Sequence, residues 1–383
     1  METKPEIHYG LEGVYIAESG ISKVDGTLGR LYYRGYSIDT LAQNSSFEEV
    51  CYLLLYGKLP TEDQLNDLDK KLKKERAISE DTKGLIEGFA DKLSPLDLLR
   101  TAVSAAAEDD SKPYSDNEAE NVEKAIRIIA KMPTVSAAIW RLRNKKDPIE
   151  PDSNLGHSEN FLYMLSGEKP NAEKAKFMDV MFIIHAEHSS NASTFATLVA
   201  CSTLADIYSA VTAGVSTLKG PLHGGADEAA IKMMRDIGDP KNTESYINEA
   251  LAGKKRIMGF GHRVYKTYDP RARILKAYLE RAKDSADEDV RKLIEISLIA
   301  EKLMIERLGE SHGIWPNVDF FAGPLYLWAG VQTEVFDIIF ASSRSLGWCT
   351  HIIEYWRNNK LFRPLEVYTG ELDLEYVPIE RRS

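Results

Sequence analysis

Cysteine is scarce in this 383-residue chain, and the three present, Cys51, Cys201 and Cys349, stand far apart with no CxxC spacing. An odd, scattered set argues against a disulfide framework or a zinc site and fits reduced, packed thiols in a cytoplasm-like compartment. The HExxH pattern is missing as well. His185 and His188 lie three apart with Glu187 between them, too few ligands for zinc, so no metal is expected. Long hydrophobic runs are absent: the longest uncharged stretch, Ser189 to Ala205, is short for a membrane span and full of Ser, Thr and Asn. The N-terminal segment Met1–His8 holds no apolar run of signal-peptide length, and its glutamates argue against a transit peptide. Excess positive charge is lacking too. A formal net charge of −11 argues against a nucleic-acid partner, which needs a broad basic surface. These absences together predict a soluble cytoplasmic protein.

What is present is helical pattern. At 383 residues the chain exceeds the usual single domain, so two domains are expected. Phe47, Val50, Leu53 and Leu54 recur at helical spacing before Gly57 and Pro60. Thr61 followed by Gln64 is a capping-box pattern opening a helix with Leu65, Leu68 and Leu72 along one stripe. Another helix is expected from Asp287 to Leu308, with Leu293, Ile296 and Ile299 inward and Gly309 as its stop. Short strands are expected only between Gly13 and Tyr33. The segment Ala192 to Leu218, rich in Ala, Ser, Thr and Gly, predicts helices buried on nearly all sides, in a domain centre or a dimer interface. The expected class is mainly α.

The acidic background makes one basic window conspicuous. Between Lys254 and Lys276 stand eight Lys or Arg residues and a single acid, Asp269. The window contains Gly259-Phe-Gly-His262 and ends its motif in Asp-Pro-Arg271. Such charge suits an anion, or a merely solvated face, and the two glycines allow close backbone approach to a ligand. Among the eight histidines, His223 and His262 sit beside glycines in loop-like contexts, and His188 lies in a Ser- and Asn-rich run. His223 precedes a helical segment, where the backbone dipole favours neutral imidazole able to donate to an enolate; capping alone is the other reading. Asp319, flanked by aromatics, is placed either as a partly desolvated base or as a helix N-cap. Arg271, Arg344 and Arg363 suit a dicarboxylate as a set, though each singly would pass for a surface arginine.

These segments, in order, resemble the citrate synthase family over essentially the full chain: His188, Gly-Pro-Leu-His223-Gly, Gly-Phe-Gly-His262 with Asp-Pro-Arg271, Asn-Val-Asp319, Arg344 and Arg363-Pro. The resemblance implies a large helical domain (residues 1–224 and 331–383) and a smaller one (225–330) closing over the cleft. It implies that Asp319 deprotonates acetyl-CoA, His223 stabilises the enolate, and His262 polarises and protonates the oxaloacetate carbonyl. His188, Arg271 and Arg344 would hold the oxaloacetate carboxylates, with Arg363 supplied across a homodimer interface. Arg256, Ile257, Met258, Gly259 and Phe260 would form the CoA-binding loop, and no cofactor is implied. The run Ala186–Phe195 is similar to a form common in 2-methylcitrate synthases, which use propionyl-CoA, so that activity, alone or beside citrate formation, is the alternative. A catalytically silent CoA-binding protein is a further alternative of another class.

Overall fold

The computed structural model describes residues 5–382; the first four residues of the N-terminal segment and Ser383 lie outside them. Of three short antiparallel strands, β1 (Ser22–Asp25) and β2 (Arg30–Tyr33) form where strands were expected, and β3 (Tyr36–Ser37) lies just beyond, with Ser22 opposite Tyr33 and Tyr32 opposite Ser37. Helices then take over: α1 (Ile38–Asn44), α2 (Phe47–Tyr56) and α3 (Glu62–Glu75). Ser46 and Glu49 close a capping box on α2, and Gly57, in the left-handed region at φ 80°, ends it. Thr61 and Gln64 do the same for the start of α3, as their spacing predicts.

After α4 (Glu80–Phe89) and α5 (Pro95–Ala105) comes α6 (Glu118–Arg143), then α7 (His157–Ser166) and α8 (Ala172–His185). Next are α9 (Ala192–Ser202) and α10 (Ile207–Leu218), and the chain returns at its end as α17 (Phe336–Trp356), which packs on α6, α8, α9 and α10. Helix α17 is buried along most of its length, so it forms the axis of this larger group. Burial of α9 and α10 is less complete than their composition suggests. One face meets α17, while Val199 and Leu204 remain 38% and 49% exposed.

The intervening helices pack mainly on one another: α11 (Ala226–Ile237), α12 (Thr243–Ala252), α13 (Pro270–Ser285), α14 (Glu288–Met304), the short α15 (Glu310–His312) and α16 (Val318–Ala329). Two details of α14 depart from expectation. The helix does not stop at Gly309, because that glycine keeps a helical backbone and lets Trp315 approach to 3.3 Å of where a Cβ would stand. A π-helical turn (Ile305–Gly309) carries the chain into α15, and Gly313, at φ 65°, makes the stop. Ile299 is not inward but 36% exposed. Counting by threes drifts around a 3.6-residue helix, and the buried stripe follows Leu293, Ser297, Ala300 and Met304.

Candidate active site

The loop before His262 is laced to the start of α16. Gly261 N–H donates to Trp315 O at 2.8 Å, and Asn317 N–H donates to Gly259 O at 2.9 Å. The Asn317 side chain then donates to Gly261 O at 3.0 Å while its Oδ1 caps the Asp319 N–H at 3.1 Å. Asn317, not Asp319, is therefore the N-cap, and one asparagine ties the histidine loop to the helix bearing the carboxylate. Gly259 sits at φ 79°, and a Cβ there would lie 2.6 Å from Phe320 Cβ, so its missing side chain serves packing against α16 rather than a ligand.

His262 Nδ1 accepts N–H bonds from Val264 (3.0 Å) and Tyr265 (3.1 Å). Both bonds need a lone pair on Nδ1, so the neutral ring carries its proton on Nε2 as a donor. Burial, then the charge of Arg271, pushes His262 down to about 4. His188 lies with its ring 5.4 Å from that of His262, its Nε2 3.1 Å from the Tyr265 hydroxyl, and is held well below the ordinary range by burial and by Arg271. Tyr265 joins the site without having drawn notice in the sequence, where it is one more aromatic in a basic run.

Arg344 is 1% exposed on α17 and spends only Nε on the protein, donating to His185 O at 2.7 Å. Its guanidinium lies 4.5 Å from the centre of the Phe340 ring, and no carboxylate pairs with it among the described residues. Burial draws it down to about 10, still cationic at neutral pH. A buried cation without a counter-ion is costly to hold and prepares the place for an anion. Arg271 differs. Its Nε and Nη2 pair with both oxygens of Asp269 at 3.1 and 2.8 Å. Asp269 also caps α13 and accepts the Val318 N–H at 3.3 Å. Only Nη1 of Arg271 is left over, and the acid in the motif proves to be its anchor, a role its lone position in a basic window did not reveal.

His223 stands just before α11, whose N-cap is Gly225, as its sequence context predicts. Its Nε2 is 2.8 Å from Ser193 Oγ at the first turn of α9. It is lowered to about 4 by burial first, then by Arg344 and Arg263. Asp319 is raised to about 6 by burial, which outweighs the opposing charge of Arg271 and is helped by Asp269 and Asp337. Asp337 Oδ1 in turn accepts the Gly225 N–H at 3.0 Å and so steadies the His223 loop.

The structure thus brings His188, His223, His262, Arg271, Arg344 and Asp319 within one another's electrostatic reach, Arg271 acting on His188, His262 and Asp319, and Arg344 on His223 and Asp319. Arg363 is not among them: it is exposed beyond α17, its Nη1 turned to the neighbouring Pro364 O. In the proposed CoA loop, Ile257, Gly259 and Phe260 are buried, the last with its ring 4.5 Å from Phe320; Met258 is half-buried against the core, and only Arg256 is exposed. Among the described residues no group of three or more His, Cys, Asp or Glu is placed to hold a metal.

Three neutral imidazoles, a carboxyl raised toward neutrality and a buried guanidinium without a carboxylate partner are groups that proton abstraction next to a small carboxylate calls for. Comparison with known proteins agrees. A family model described as "Citrate synthase, C-terminal domain" matches residues 10–365. Citrate synthase of Haloferax volcanii is 43% identical over 98% of this chain and 99% of its own. The 2-methylcitrate synthase of Mycobacterium tuberculosis is 40% identical over 97% of this chain and 92% of its own. Among solved structures, Thermoplasma acidophilum citrate synthase in ternary complex with carboxymethyl coenzyme A and oxaloacetate superposes with a TM-score of 0.93, at 37% identity over 99% of this chain and all of that one. The chain belongs to the citrate synthase family.

Proposed function

We propose that the chain condenses acetyl-CoA with oxaloacetate and hydrolyses the resulting citryl-CoA to citrate and free CoA. The observation that carries this reading is Asp319, a carboxyl raised to about 6 and tied through Asn317 to the loop of a histidine whose free nitrogen is a donor. Arg344, Arg271 Nη1 and His188 hold the oxaloacetate carboxylates. His262 Nε2–H donates to its carbonyl oxygen. Asp319 takes a proton from the acetyl methyl group while His223 donates to the forming enolate oxygen, and pre-aimed donors of this kind are worth about 3 kcal/mol each. The enolate carbon attacks the polarised carbonyl, whose oxygen takes the His262 proton. Water then cleaves the thioester. These steps call for no metal or organic cofactor, CoA entering as part of a substrate.

Three further parts belong to the reading. Residues 225–330 close over the rest, supported by the way their helices pack on one another and by site residues standing on both groups. The chain works as a homodimer with Arg363 crossing to the neighbouring site. Support comes from the exposed Val199 and Leu204 of the α9–α10 face and from an extended C-terminal arm whose Leu365, Leu372 and Tyr376 are 75–90% accessible. Arg256 and Met258 meet CoA with their side chains and the buried Ile257, Gly259 and Phe260 with backbone; three buried free thiols suit the cytoplasm.

Relatives named citrate synthase match at 41–43% identity and those named 2-methylcitrate synthase at 40%, which does not favour propionyl-CoA. The Asn- and Ser-rich run that raised that alternative has a structural task, Asn191 capping α9. Thiol release measured with acetyl-CoA and propionyl-CoA, with and without oxaloacetate, tests the reading. Release strictly dependent on oxaloacetate, with kcat/KM roughly 10- to 200-fold higher for acetyl-CoA, is expected. Equal or higher kcat/KM with propionyl-CoA would reverse the choice, and no release with either would leave a binding protein.

A further inference from the structure

Ser189, the residue after His188, stands in the left-handed region at φ 55° without being glycine. Such backbone is strained and persists only where its surroundings hold it. Two acceptors hold it here: the Ser189 N–H points at Ser22 Oγ, 3.1 Å away on β1, and at Glu187 Oε1. Glu187 is wholly buried. Burial pushes its carboxyl up, but His351, Arg344 and Ser22 outweigh that and hold it below the ordinary range. An ionised carboxylate only accepts, so Ser22 Oγ–H and His351 Nε2–H each donate to Oε1 at 2.9 Å, and the lone pairs of Ser22 are left for Ser189. The turn that aims His188 is thus clamped by β1 on one side and by α17 on the other.

The far end of β1 meets the other histidine. Gly26, the next residue along, accepts the Lys266 N–H at 2.9 Å, and a Cβ on it would stand 2.2 Å from Val264 O. Val264 and Tyr265 are the residues whose N–H groups bond His262 Nδ1, and the Tyr265 hydroxyl reaches back to His188 Nε2. One short strand therefore carries a bond to the His188 turn at its start and leads into a bond to the His262 loop just past its end. We propose that β1 is a positioning element that sets the spacing of His188 and His262 for oxaloacetate, Ser22 registering the first and Gly26 the second. This deepens the proposed reaction and rests on its assignment of both histidines to that substrate. With the two rings 5.4 Å apart, they face neighbouring groups of one small molecule, a carboxylate and a carbonyl. Loss of register then costs affinity for oxaloacetate and not for acetyl-CoA.

Calorimetry of oxaloacetate with the full unaltered chain, without acetyl-CoA, comes first. Binding is expected, and its absence would overturn the proposed reaction and this inference with it. Ser22→Ala keeps the strand and loses the hydroxyl. It is expected to weaken oxaloacetate binding roughly five- to tenfold, the worth of one hydrogen bond, and to raise KM for oxaloacetate alike. KM for acetyl-CoA at saturating oxaloacetate should stay within twofold. Ser22→Thr, which keeps the hydroxyl and suits a strand, should restore the affinity. In a His188→Asn background Ser22→Ala should weaken binding no further, since it acts through that ring. Unchanged binding by Ser22→Ala, or an equal loss in both backgrounds, would overturn the proposal while leaving the reaction intact. At the other end, folded Gly26→Ala protein should lose kcat roughly tenfold as the new methyl displaces the His262 loop, and full kcat would remove Gly26 from the account. Where that variant does not fold, the Ser22 comparison decides.

Discussion

Burial at the first turn of α16 raises the Asp319 carboxyl to about 6, and this sets both the acid limb of activity and a cost to the fold. Only the ionised form removes a proton, so kcat/KM for acetyl-CoA should fall tenfold per pH unit below about 6 and stay level from 7 to 8. A pH–rate profile flat down to pH 5 would contradict this. For stability the sign is the opposite of the usual carboxylate. The folded value lies above the unfolded one of about 3.9, so the native state binds the proton more tightly. The penalty of the buried charge is fully present above pH 6 and relieved as pH falls from 6 to 4. Asp319→Asn should therefore melt higher than the unaltered protein at pH 7.5, with the gap closing near pH 4, while kcat drops roughly 10²- to 10⁴-fold. Oxaloacetate affinity should hardly change, which calorimetry would check. A lower melting point at pH 7.5 would refute the account of its burial. From sequence, the candidate chemistry-bearing side chains were legible, but the ties between them were not: Asn317 bonds to Gly261 O and Asp269 to Val318 N–H, 56 and 49 residues away, and no local pattern announces such partners.

The glycines around His262 set the terms at the level of elements. Gly259 and Gly261 share a left-handed backbone, at φ 79° and 85°, but only Gly259 has a neighbour where a Cβ would go. Gly261→Ala should cost about 1–2 kcal/mol of backbone strain alone. Gly259→Ala must also push α16 away at Phe320, whose backbone Cα lies 2.9 Å from the new atom, so it should lower the melting point further and kcat with it. Equal melting points for the two variants would contradict this assignment of the loop. Helix ends with side-chain caps, at Thr61 for instance, could be read from sequence because both partners lie within one turn. The extension of α14 beyond Gly309 could not, since Trp315 decides what that glycine is for.

Across the whole molecule the site is divided: Arg271 and Asp319 stand on α13 and α16, which pack on one another, with His262 on the loop tied to the start of α16, while Arg344 stands on α17 and His188 on the loop between α8 and α9. Oxaloacetate bridging the two should favour closure, since charge-assisted bonds of about 1.5–3 kcal/mol each are completed only when the groups approach. Saturating oxaloacetate should reduce the radius of gyration in solution scattering and raise the melting point, and Arg344→Ala should abolish both effects. An unchanged scattering profile would count against closure. The resemblance implies the large and small domains, and the helices from α11 to α16 pack mainly on one another. Arg363 is exposed beyond α17, its Nη1 donating to Pro364 O, on an arm with apolar side chains uncovered. The most direct test of the assembled site is therefore subunit mixing. Arg363→Ala and Asp319→Asn chains, each nearly inactive alone, should regain about a quarter of full activity when exchanged at equal amounts, because half the dimers are mixed and each has one intact site. No recovery, with exchange of subunits verified, would contradict an active site completed by the neighbouring chain.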